Sequence, residues 1–416
     1  METTAVRILQ ANIGRTLGFC AFALTFVVSA CCCAAEQREI KIGYLHSPLS
    51  RIRISLIDIP AANEGLAGAQ LAIDDNITTS QFLGQHFALV ESMLDPGQDP
   101  AIAIRSLTDQ GLSLVVTAVD AKDLLAAADA AGSSMLLLNA SAQDESLREQ
   151  ECRPNIVHVA PSRSMLTDAL AQYLTWKKWR RWVLVTGSHD TDKLLATALR
   201  RSAAKFGAKI IGEREFEDTG GARRTDSGLA EVQRQMPVLT QNMGDYDVLV
   251  AADESEVFAG YLPYRTWDPR PVAGSSGLVP ATWTASFDQW GAVQLQDRFA
   301  RKFQRPMKSL DVQAWTAVRI IGEAAARAGT ADAAALAKYI KSADFSVAAF
   351  KGQKLTVRDW NQQLRQPILL SDGRNTVSVS PQEGFLHPLS ALDTLGVDRP
   401  ETRCNLDREH RSLDPK

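Results

Sequence analysis

The stretch Leu112-Ser113-Leu114-Val115-Val116 is apolar at nearly every position, and Met135-Leu136-Leu137-Leu138-Asn139 has the same character. Strands that are apolar without alternation are buried on both faces, which is typical of a parallel sheet covered by helices. Residues 121–131 lie between the two stretches and predict a helix that connects them. This unit of strand, helix and strand predicts an α/β fold.

The same alternation continues on both sides of this unit. Before it, strands are predicted at residues 40–45 and 86–93, with helices over residues 64–77 and around Leu107. After the polar residues 143–154 the alternation starts again, with strands at 157–159, 182–187, 209–212 and 247–252 and helices at 164–177, 192–206 and 229–239. Two such series in tandem predict two doubly wound parallel-sheet lobes with a hinge and an interlobe cleft.

In the last third of the chain the alternation of strands and helices ends. Long helices are predicted at residues 290–303 and 310–327, and Asp372-Gly373 between two apolar runs predicts a hairpin. The expected segments are a signal peptide at 1–35, a first lobe at 36–158, a second lobe at 159–280, a return to the first lobe at 281–350, a hairpin closing the second lobe at 351–385, and a tail at 386–416.

Composition limits the kind of partner that the chain can have. Its 416 residues are 45% hydrophobic and 22% charged, and the formal net charge is −3. These values are typical of a soluble globular protein of two or more lobes. They favour neither a nucleic-acid surface nor a polybasic membrane patch.

The N-terminus predicts export to the periplasm. Arg7 and Arg15 precede an apolar run at residues 17–28, and small residues follow it. Cleavage after Ala35 is the first expectation. Val28-Ser29-Ala30-Cys31 resembles the lipobox of bacterial lipoproteins, so lipidation at Cys31 is a second possibility. An uncleaved membrane anchor is the third possibility, although the apolar run is short for a spanning helix.

Cleavage after Ala35 would leave two cysteines, Cys152 and Cys404. A pair of cysteines in an oxidising compartment predicts a disulfide, here one that ties the tail back to the first lobe. Two buried thiols are the alternative. Two lone cysteines cannot form a zinc site, and no metal site is predicted.

Small polar and charged residues follow several predicted strands. Ser141 follows one strand of the first series, while Ser188, His189 and Glu254 follow strands of the second. Ligands of open parallel sheets bind beyond the carboxyl ends of the strands. These four residues are therefore candidate ligand-binding residues.

A second candidate set is rich in rings and guanidinium groups. Its members are Arg51, Arg53, Tyr264, Arg265, Trp267, Arg270 and Trp283. Arginines bind carboxylates through paired hydrogen bonds, and tryptophans stack on flat or cationic groups. If all of them line one crevice, they predict a flat, anionic ligand; the alternative is a buried aromatic turn with solvated arginines.

The sequence offers little basis for catalysis. His189 lies between Ser188 and Asp190, but neighbours on one loop do not place a nucleophile against a base. Asp253-Glu254-Ser255-Glu256 lacks the ligand spacing and the glycine of a calcium loop. We predict no catalytic residue, no required cofactor and no enzymatic activity.

The chain resembles the type I periplasmic solute-binding proteins of ABC transporters, in the branched-chain amino-acid binding group. The resemblance lies in the order of elements, the export signal, and the joining segments near Pro161-Ser162 and Thr282-Trp283. Four segments are similar to the subgroup associated with alcohol oxidation that depends on pyrroloquinoline quinone (PQQ). They are Tyr261-Leu262-Pro263-Tyr264-Arg265-Thr266-Trp267-Asp268-Pro269-Arg270-Pro271, Trp290-Gly291-Ala292-Val293-Gln294-Leu295-Gln296, Gln363-Leu364-Arg365-Gln366-Pro367-Ile368 and Leu392-Asp393-Thr394-Leu395-Gly396.

This resemblance implies a monomeric periplasmic receptor that closes on a small-molecule ligand and delivers it to an ABC transporter permease. The implied ligand is PQQ or a small metabolite of quinoprotein alcohol oxidation, and a quinoprotein dehydrogenase is a further implied partner. Amino-acid binders of the family hold their ligand with Ser, Thr and an acidic residue, to which Ser141, Ser188 and Glu254 correspond, but the Arg and Trp content departs from that pattern. An accessory or sensor subunit without a transported ligand is the alternative.

Overall fold

The computed structural model describes residues 38–48, 60–219 and 226–406. All of them belong to one compact unit, Gln37–Lys416. The predicted signal peptide, Cys31, Arg51 and Arg53 lie outside the described residues. Within those residues, no helix is both long and apolar enough to span a membrane.

The first lobe contains a five-stranded parallel sheet. Its strands are β1 (Arg38–His46), β2 (Gln85–Met93), β3 (Leu114–Ala118), β4 (Leu136–Asn139) and β5 (Ile156–His158), in the order β2-β1-β3-β4-β5. The connecting helices are α1 (Leu66–Ser80), α2 (Pro100–Asp109) and α3 (Ala121–Ala131). Asp99 and Asp120 accept backbone N–H groups at the starts of α2 and α3, which explains where these helices begin.

Both faces of the first sheet are buried. Val116 and Leu138 contribute to the core on one face, whereas Val115 and Leu137 contribute to the core on the other. Successive strand residues point to opposite faces, so a strand covered on both sides needs apolar residues throughout. The continuous apolar runs of the sequence are explained by this arrangement.

The second lobe contains a four-stranded parallel sheet in the order β7-β6-β8-β9. Its strands are β6 (Arg181–Gly187), β7 (Lys209–Phe216), β8 (Val248–Ala252) and β9 (Val272–Gly274). The helices of this part are α4 (Arg163–Trp176), α5 (Asp190–Lys205), α6 (Asp226–Thr240) and the short α7 (Leu262–Arg265).

The remaining elements serve both lobes. They are β10 (Val279–Ala281), α8 (Ala292–Phe303), α9 (Ser309–Ala328), α10 (Ala333–Ile340), β11 (Val347–Ala348), β12 (Lys354–Leu355), β13 (Ile368–Ser371) and β14 (Thr376–Ser380). α9 packs against α1 in the first lobe, where a Cβ at Gly68 would lie 1.9 Å from the carbonyl oxygen of Asp311. β10, β13 and β14 form an antiparallel sheet that contacts α4 in the second lobe.

The tail is fixed to both parts of the molecule. Cys152 and Cys404 form a disulfide with a Cα–Cα distance of 5.7 Å, which confirms the predicted pairing. Gly396 donates its backbone N–H to Asp168 of α4 at 2.8 Å, and its carbonyl oxygen accepts Lys205 Nζ of α5 at 2.9 Å. The tail therefore crosses from the second lobe to the first.

Candidate functional site

Ser141 lies at the carboxyl edge of the first sheet, as expected. Asn139, the last residue of β4, accepts the backbone N–H groups of Ser141 and Ala142 at 3.1 and 2.9 Å. Ser141 Oγ donates to the carbonyl oxygen of Val119 at 2.7 Å, beyond the end of β3. The side chain of Asn139 thus shapes the turn that presents Ser141, and the Ser141 oxygen retains its capacity to accept a hydrogen bond.

Ser188 and His189 lie at the carboxyl edge of the second sheet, between β6 and α5. Ser188 Oγ accepts the backbone N–H of Asp218 at 3.0 Å, and His189 Nε2 lies 2.8 Å from Asp218 Oδ2. The backbone N–H of His189 donates to the buried carboxylate of Asp192 at 3.2 Å. The side-chain partner of His189 is therefore Asp218 rather than Ser188.

The acidic residues after β8 have separate roles. Asp253 accepts the backbone N–H groups of Val257, Phe258 and Ala259 at 2.9, 2.7 and 2.6 Å, so it holds the following turn. Burial raises the pKa of Asp253, although these hydrogen bonds act in the opposite direction. Among the described residues, no group of three or more His, Cys, Asp or Glu side chains could hold a metal ion.

Glu254 binds an arginine that sequence reasoning missed. Arg163, the first residue of α4, donates from Nε and Nη2 to the two oxygens of Glu254 at 2.6 and 2.7 Å. Its Nη1 lies 3.2 Å from Asp144, in the loop that follows β4. Burial alone would lower the pKa of Arg163, but the hydrogen bonds and charges of Glu254 and Asp144 raise it above its ordinary value. One guanidinium group therefore joins the carboxyl edges of the two sheets.

A sequence signal for Arg163 did exist. It directly follows Pro161-Ser162, which had been singled out as a joining segment between the lobes. Ser162 begins α4 by accepting the backbone N–H of Met165 at 3.3 Å, which places the next residue at the mouth of the cleft. The charge of Arg163 did not reveal its partners, because Glu254 is distant in sequence.

Two buried cations connect the three segments that cross between the lobes, which are residues 159–162, 281–285 and 363–367. Arg148 donates to Gln363 Oε1 at 2.7 Å and to the carbonyl oxygen of Ala160 at 2.8 Å. Lys351 Nζ donates to the carbonyl oxygens of Thr282 and Pro367 at 2.5 and 3.2 Å. Burial lowers the pKa of Arg148 to about 10 and that of Lys351 to about 7.

Tyr264, Arg265, Trp267 and Arg270 were expected beside the cleft, but the structure places their segment at the opposite edge of the second sheet. Arg270 binds Asp245 at 3.0 Å, and Asp245 also binds Arg181, the first residue of β6, at 2.6 Å. The strands of a parallel sheet begin at one common edge. This edge is the amino edge, whereas Ser188 and Glu254 follow the carboxyl ends of their strands.

The path of the chain explains this correction. After β8 ends at Ala252, the chain must return to the opposite edge before β9 can begin in parallel at Val272. The predicted site residues 264–270 lie at the end of that return. Tyr264 is 85% exposed and Trp267 is 60% exposed, so they form no wall shared with the cleft residues.

Trp283 also differs from the expectation. It is 3% exposed and belongs to the hydrophobic core of the first lobe, where its ring meets Phe287 edge to face at 5.6 Å. A ring that is packed in this way does not stack on a ligand in the cleft. Of the nine candidate ligand-binding residues that the structure describes, Ser141, Ser188, His189 and Glu254 lie at the carboxyl edges of the two sheets, while Arg51 and Arg53 stay predictions.

Comparisons with known proteins agree with the fold. Residues 51–226 match the family model described as periplasmic binding protein. No match was found among curated proteins. The solved structures that resemble the chain include a branched-chain amino acid ABC transporter periplasmic ligand-binding protein from Burkholderia xenovorans LB400, with 18% identity, a TM-score of 0.67, and coverage of 89% of this chain and 100% of that one.

Two further structures carry ligands in their descriptions. A substrate-binding protein of Desulfitobacterium hafniense in complex with Leu is 17% identical, with a TM-score of 0.62 and coverage of 81% and 99% of the two chains. A solute-binding protein of Rhodopseudomonas palustris BisB5 in complex with 3,4-dihydroxybenzoic acid is 12% identical, with a TM-score of 0.58 and coverage of 80% and 92%. The chain has the type I periplasmic binding protein fold, which confirms the predicted fold class; the likeness to the PQQ-associated subgroup stays a prediction.

Proposed function

We propose that this chain is a periplasmic solute receptor that closes its lobes on a small molecule and presents it to an ABC transporter permease. Its fold supports this, because proteins of the matched family model and similar structures are described as periplasmic or ABC transporter binding proteins. The observation that carries the proposal is the bridge from Asp144 through Arg163 to Glu254, which joins the carboxyl edges of both sheets. A ligand that exchanges with part of this bridge changes the contact between the lobes.

The bridge favours a carboxylate ligand that lacks an α-ammonium group over an ordinary amino acid. Each oxygen of Glu254 already receives an N–H group of Arg163, so an α-ammonium group would have to share these acceptors with the guanidinium. The longer contact, 3.2 Å from Arg163 Nη1 to Asp144, is the weaker one. A ligand carboxylate that takes the place of Asp144 keeps Arg163 fully paired, and the displaced Asp144, whose side chain is 25% exposed, can be solvated by water.

Organic acids are therefore the first ligands to test. The similar protein from Rhodopseudomonas palustris BisB5 is described in complex with 3,4-dihydroxybenzoic acid, an aromatic carboxylate. PQQ, a flat tricarboxylate, and the acids produced by quinoprotein alcohol oxidation belong to the same chemical class. Support for PQQ now comes from the sequence resemblance alone, because the arginine and tryptophan segment at 264–270 lies away from the cleft.

The test is a titration of the purified mature chain with PQQ, 3,4-dihydroxybenzoate and leucine, followed by tryptophan fluorescence and small-angle X-ray scattering. Saturable binding of an organic acid with a decrease in radius of gyration supports the proposal. Arg163→Lys should weaken that binding at least tenfold, because an ammonium cannot reproduce three directed N–H contacts. Arg270→Lys is the matched control and should bind as the wild type does; equal weakening in both variants would refute the assigned site.

One observation favours a second function, that of an accessory or sensor subunit of a quinoprotein dehydrogenase system. The bridge pairs Glu254 and Asp144 with the chain's own arginine, so the lobes are connected without a transported solute. A protein of this fold that docks in a constantly closed form would need such a connection. Unchanged scattering with every acid, together with co-elution with a quinoprotein dehydrogenase, would support this second function.

A further inference from the structure

A cavity of about 710 Å³ lies on the first lobe, away from the cleft between the lobes. Its walls come from α1, α8, α9 and the segment at residues 348–354, all of which contribute to the core of the first lobe. Ser141, Arg163 and Glu254 of the cleft are not part of its lining. A ligand in this cavity would contact one lobe only, so its binding would not depend on lobe closure.

Aromatic rings form part of the cavity wall. Trp290 is 51% exposed, and its ring lies over Gly352, where a Cβ would be 2.5 Å from the ring carbon Cε2. Phe350 belongs to the same segment as Gly352, and its ring centre lies 5.6 Å from that of Trp315. A half-exposed tryptophan beside two further rings offers a surface on which a flat ligand can stack.

The backbone of Trp290 supports a binding role for its ring. Its φ of 50° lies in the left-handed region, which is uncommon for any residue with a side chain and more so for a bulky one. Such conformations persist only where the surrounding structure enforces them, and they occur most often at active and ligand-binding sites. Core packing alone does not explain a ring that is held in this way and is half exposed.

The charged groups of the cavity are mainly cations. Asp75 is the one carboxylate in the described lining, and Arg298 donates to both of its oxygens, while Trp315 Nε1 donates to it at 2.9 Å. Arg319 and Lys354 also line the cavity. Lys354 is exposed and makes no ion pair with a residue that the structure describes. The cavity therefore favours an anion over a cation.

Arg319 is the cation best suited to hold this anion. Its side chain is 17% exposed, and its Nη1 donates to Asn76 Oδ1, a neutral acceptor, at 2.5 Å. Its one ion pair with the described residues is a 4.0 Å contact with Glu323, which also binds Arg327. Burial lowers the pKa of Arg319, because the carboxylates around it compensate its charge only in part. An anion paired with this guanidinium would supply the missing compensation.

We propose that this cavity binds an aromatic carboxylate, whose carboxylate group pairs with Arg319 and whose ring stacks on Trp290. Lys354 adds a longer-range attraction for the anion. The volume falls within the range of small-molecule sites, which is about 300–1,000 Å³. This site goes beyond the proposed function, because it neither uses the bridge at Arg163 nor requires the lobes to close.

The test uses the mature chain with Arg163→Lys, which weakens the cleft site and leaves this cavity intact. The probe is 2-naphthoate, with 2-naphthamide as its neutral isostere, in isothermal titration calorimetry. This chain should bind naphthoate and not naphthamide, and its radius of gyration in small-angle X-ray scattering should not change. No binding of naphthoate, equal binding of the two probes, or a decrease in radius of gyration would overturn the proposal.

Substitutions added to this chain locate the probe. Arg319→Gln should weaken naphthoate binding at least tenfold, whereas Arg200→Gln, the same change at an exposed residue of α5 paired with Glu213, should leave it unchanged. Equal affinity in these two variants would refute the assigned site. Failure here would leave the proposed function standing, because that proposal is tested through the loss of binding caused by Arg163→Lys itself.

A second variant separates loss of binding from loss of folding. Trp290→Ala removes a half-exposed ring without changing a charge. It should weaken naphthoate binding at least fivefold while the melting temperature stays close to that of the parent chain. Retained affinity in a folded Trp290→Ala protein would place the probe elsewhere and refute the site.

Discussion

In the wild-type chain the guanidinium group of Arg163 binds two carboxylates, those of Glu254 and Asp144. Replacing Arg163 with methionine would leave both carboxylates without this partner. Glu254 is bound at 2.6 and 2.7 Å and Asp144 at 3.2 Å. Removing one member of a buried ion pair costs about 3–5 kcal/mol, because the remaining charge is left uncompensated. Both carboxylates keep some contact with solvent, which screens part of this penalty. We expect the free energy of unfolding to fall by about 2–3 kcal/mol.

Urea denaturation at neutral pH measures this difference, and Arg270→Met is the matched control. Arg270 binds Asp245 at the well-exposed edge of the second lobe, so its replacement should cost less than about 1 kcal/mol. The double variant with Arg163→Met and Glu254→Gln should recover part of the lost stability, because one of the two uncompensated charges is then removed and only that of Asp144 remains. Equal losses for the two methionine variants would refute the reasoning that the bridge is a buried, coupled pair.

Three further substitutions test the hinge, the tail and the packing of the first lobe. Burial lowers the pKa of Lys351 from 10.5 in the unfolded chain to about 7 in the folded one. The unfolded state therefore binds more protons between these two pH values, and the free energy of unfolding of the wild type should rise by up to about 1.4 kcal/mol per pH unit. Lys351→Met should lack this rise when urea midpoints at pH 6 and pH 9 are compared. Cys404→Ser should lower the free energy of unfolding by about 2–4 kcal/mol, and an unchanged midpoint without reductant would contradict the bond to Cys152. Gly68→Ala should cost about 1–3 kcal/mol, because its Cβ would lie 1.9 Å from the carbonyl oxygen of Asp311, whereas Gly260→Ala has open space and should be close to neutral in thermal melting.

The regular elements were predictable because burial leaves a local pattern. β3 and β4 are covered on both faces, so each is apolar along nearly its whole length, and this pattern is visible in the sequence. The disulfide was predictable for another reason, since cleavage at the predicted site after Ala35 would leave only Cys152 and Cys404 to pair. Both inferences need no knowledge of distant contacts.

The site was less predictable because it depends on where distant segments meet. Trp267 and Arg270 follow soon after Glu254 in sequence, yet the return of the chain to β9 carries them to the opposite sheet edge. Arg163 and Glu254 are far apart in sequence but adjacent in space. A parallel crossover separates sequence neighbours across the full length of a strand, and no local pattern records that displacement.

The attachment of the tail sets a limit on how far the lobes can separate. Gly396 is bound to Asp168 in the second lobe, and Cys404 is covalently bound to Cys152 in the first. The short segment between Gly396 and Cys404 can extend to about 29 Å at most, at about 3.6 Å per residue. The contour length of this segment therefore limits how far the two lobes can move apart. A larger separation would require the tail to detach from α4.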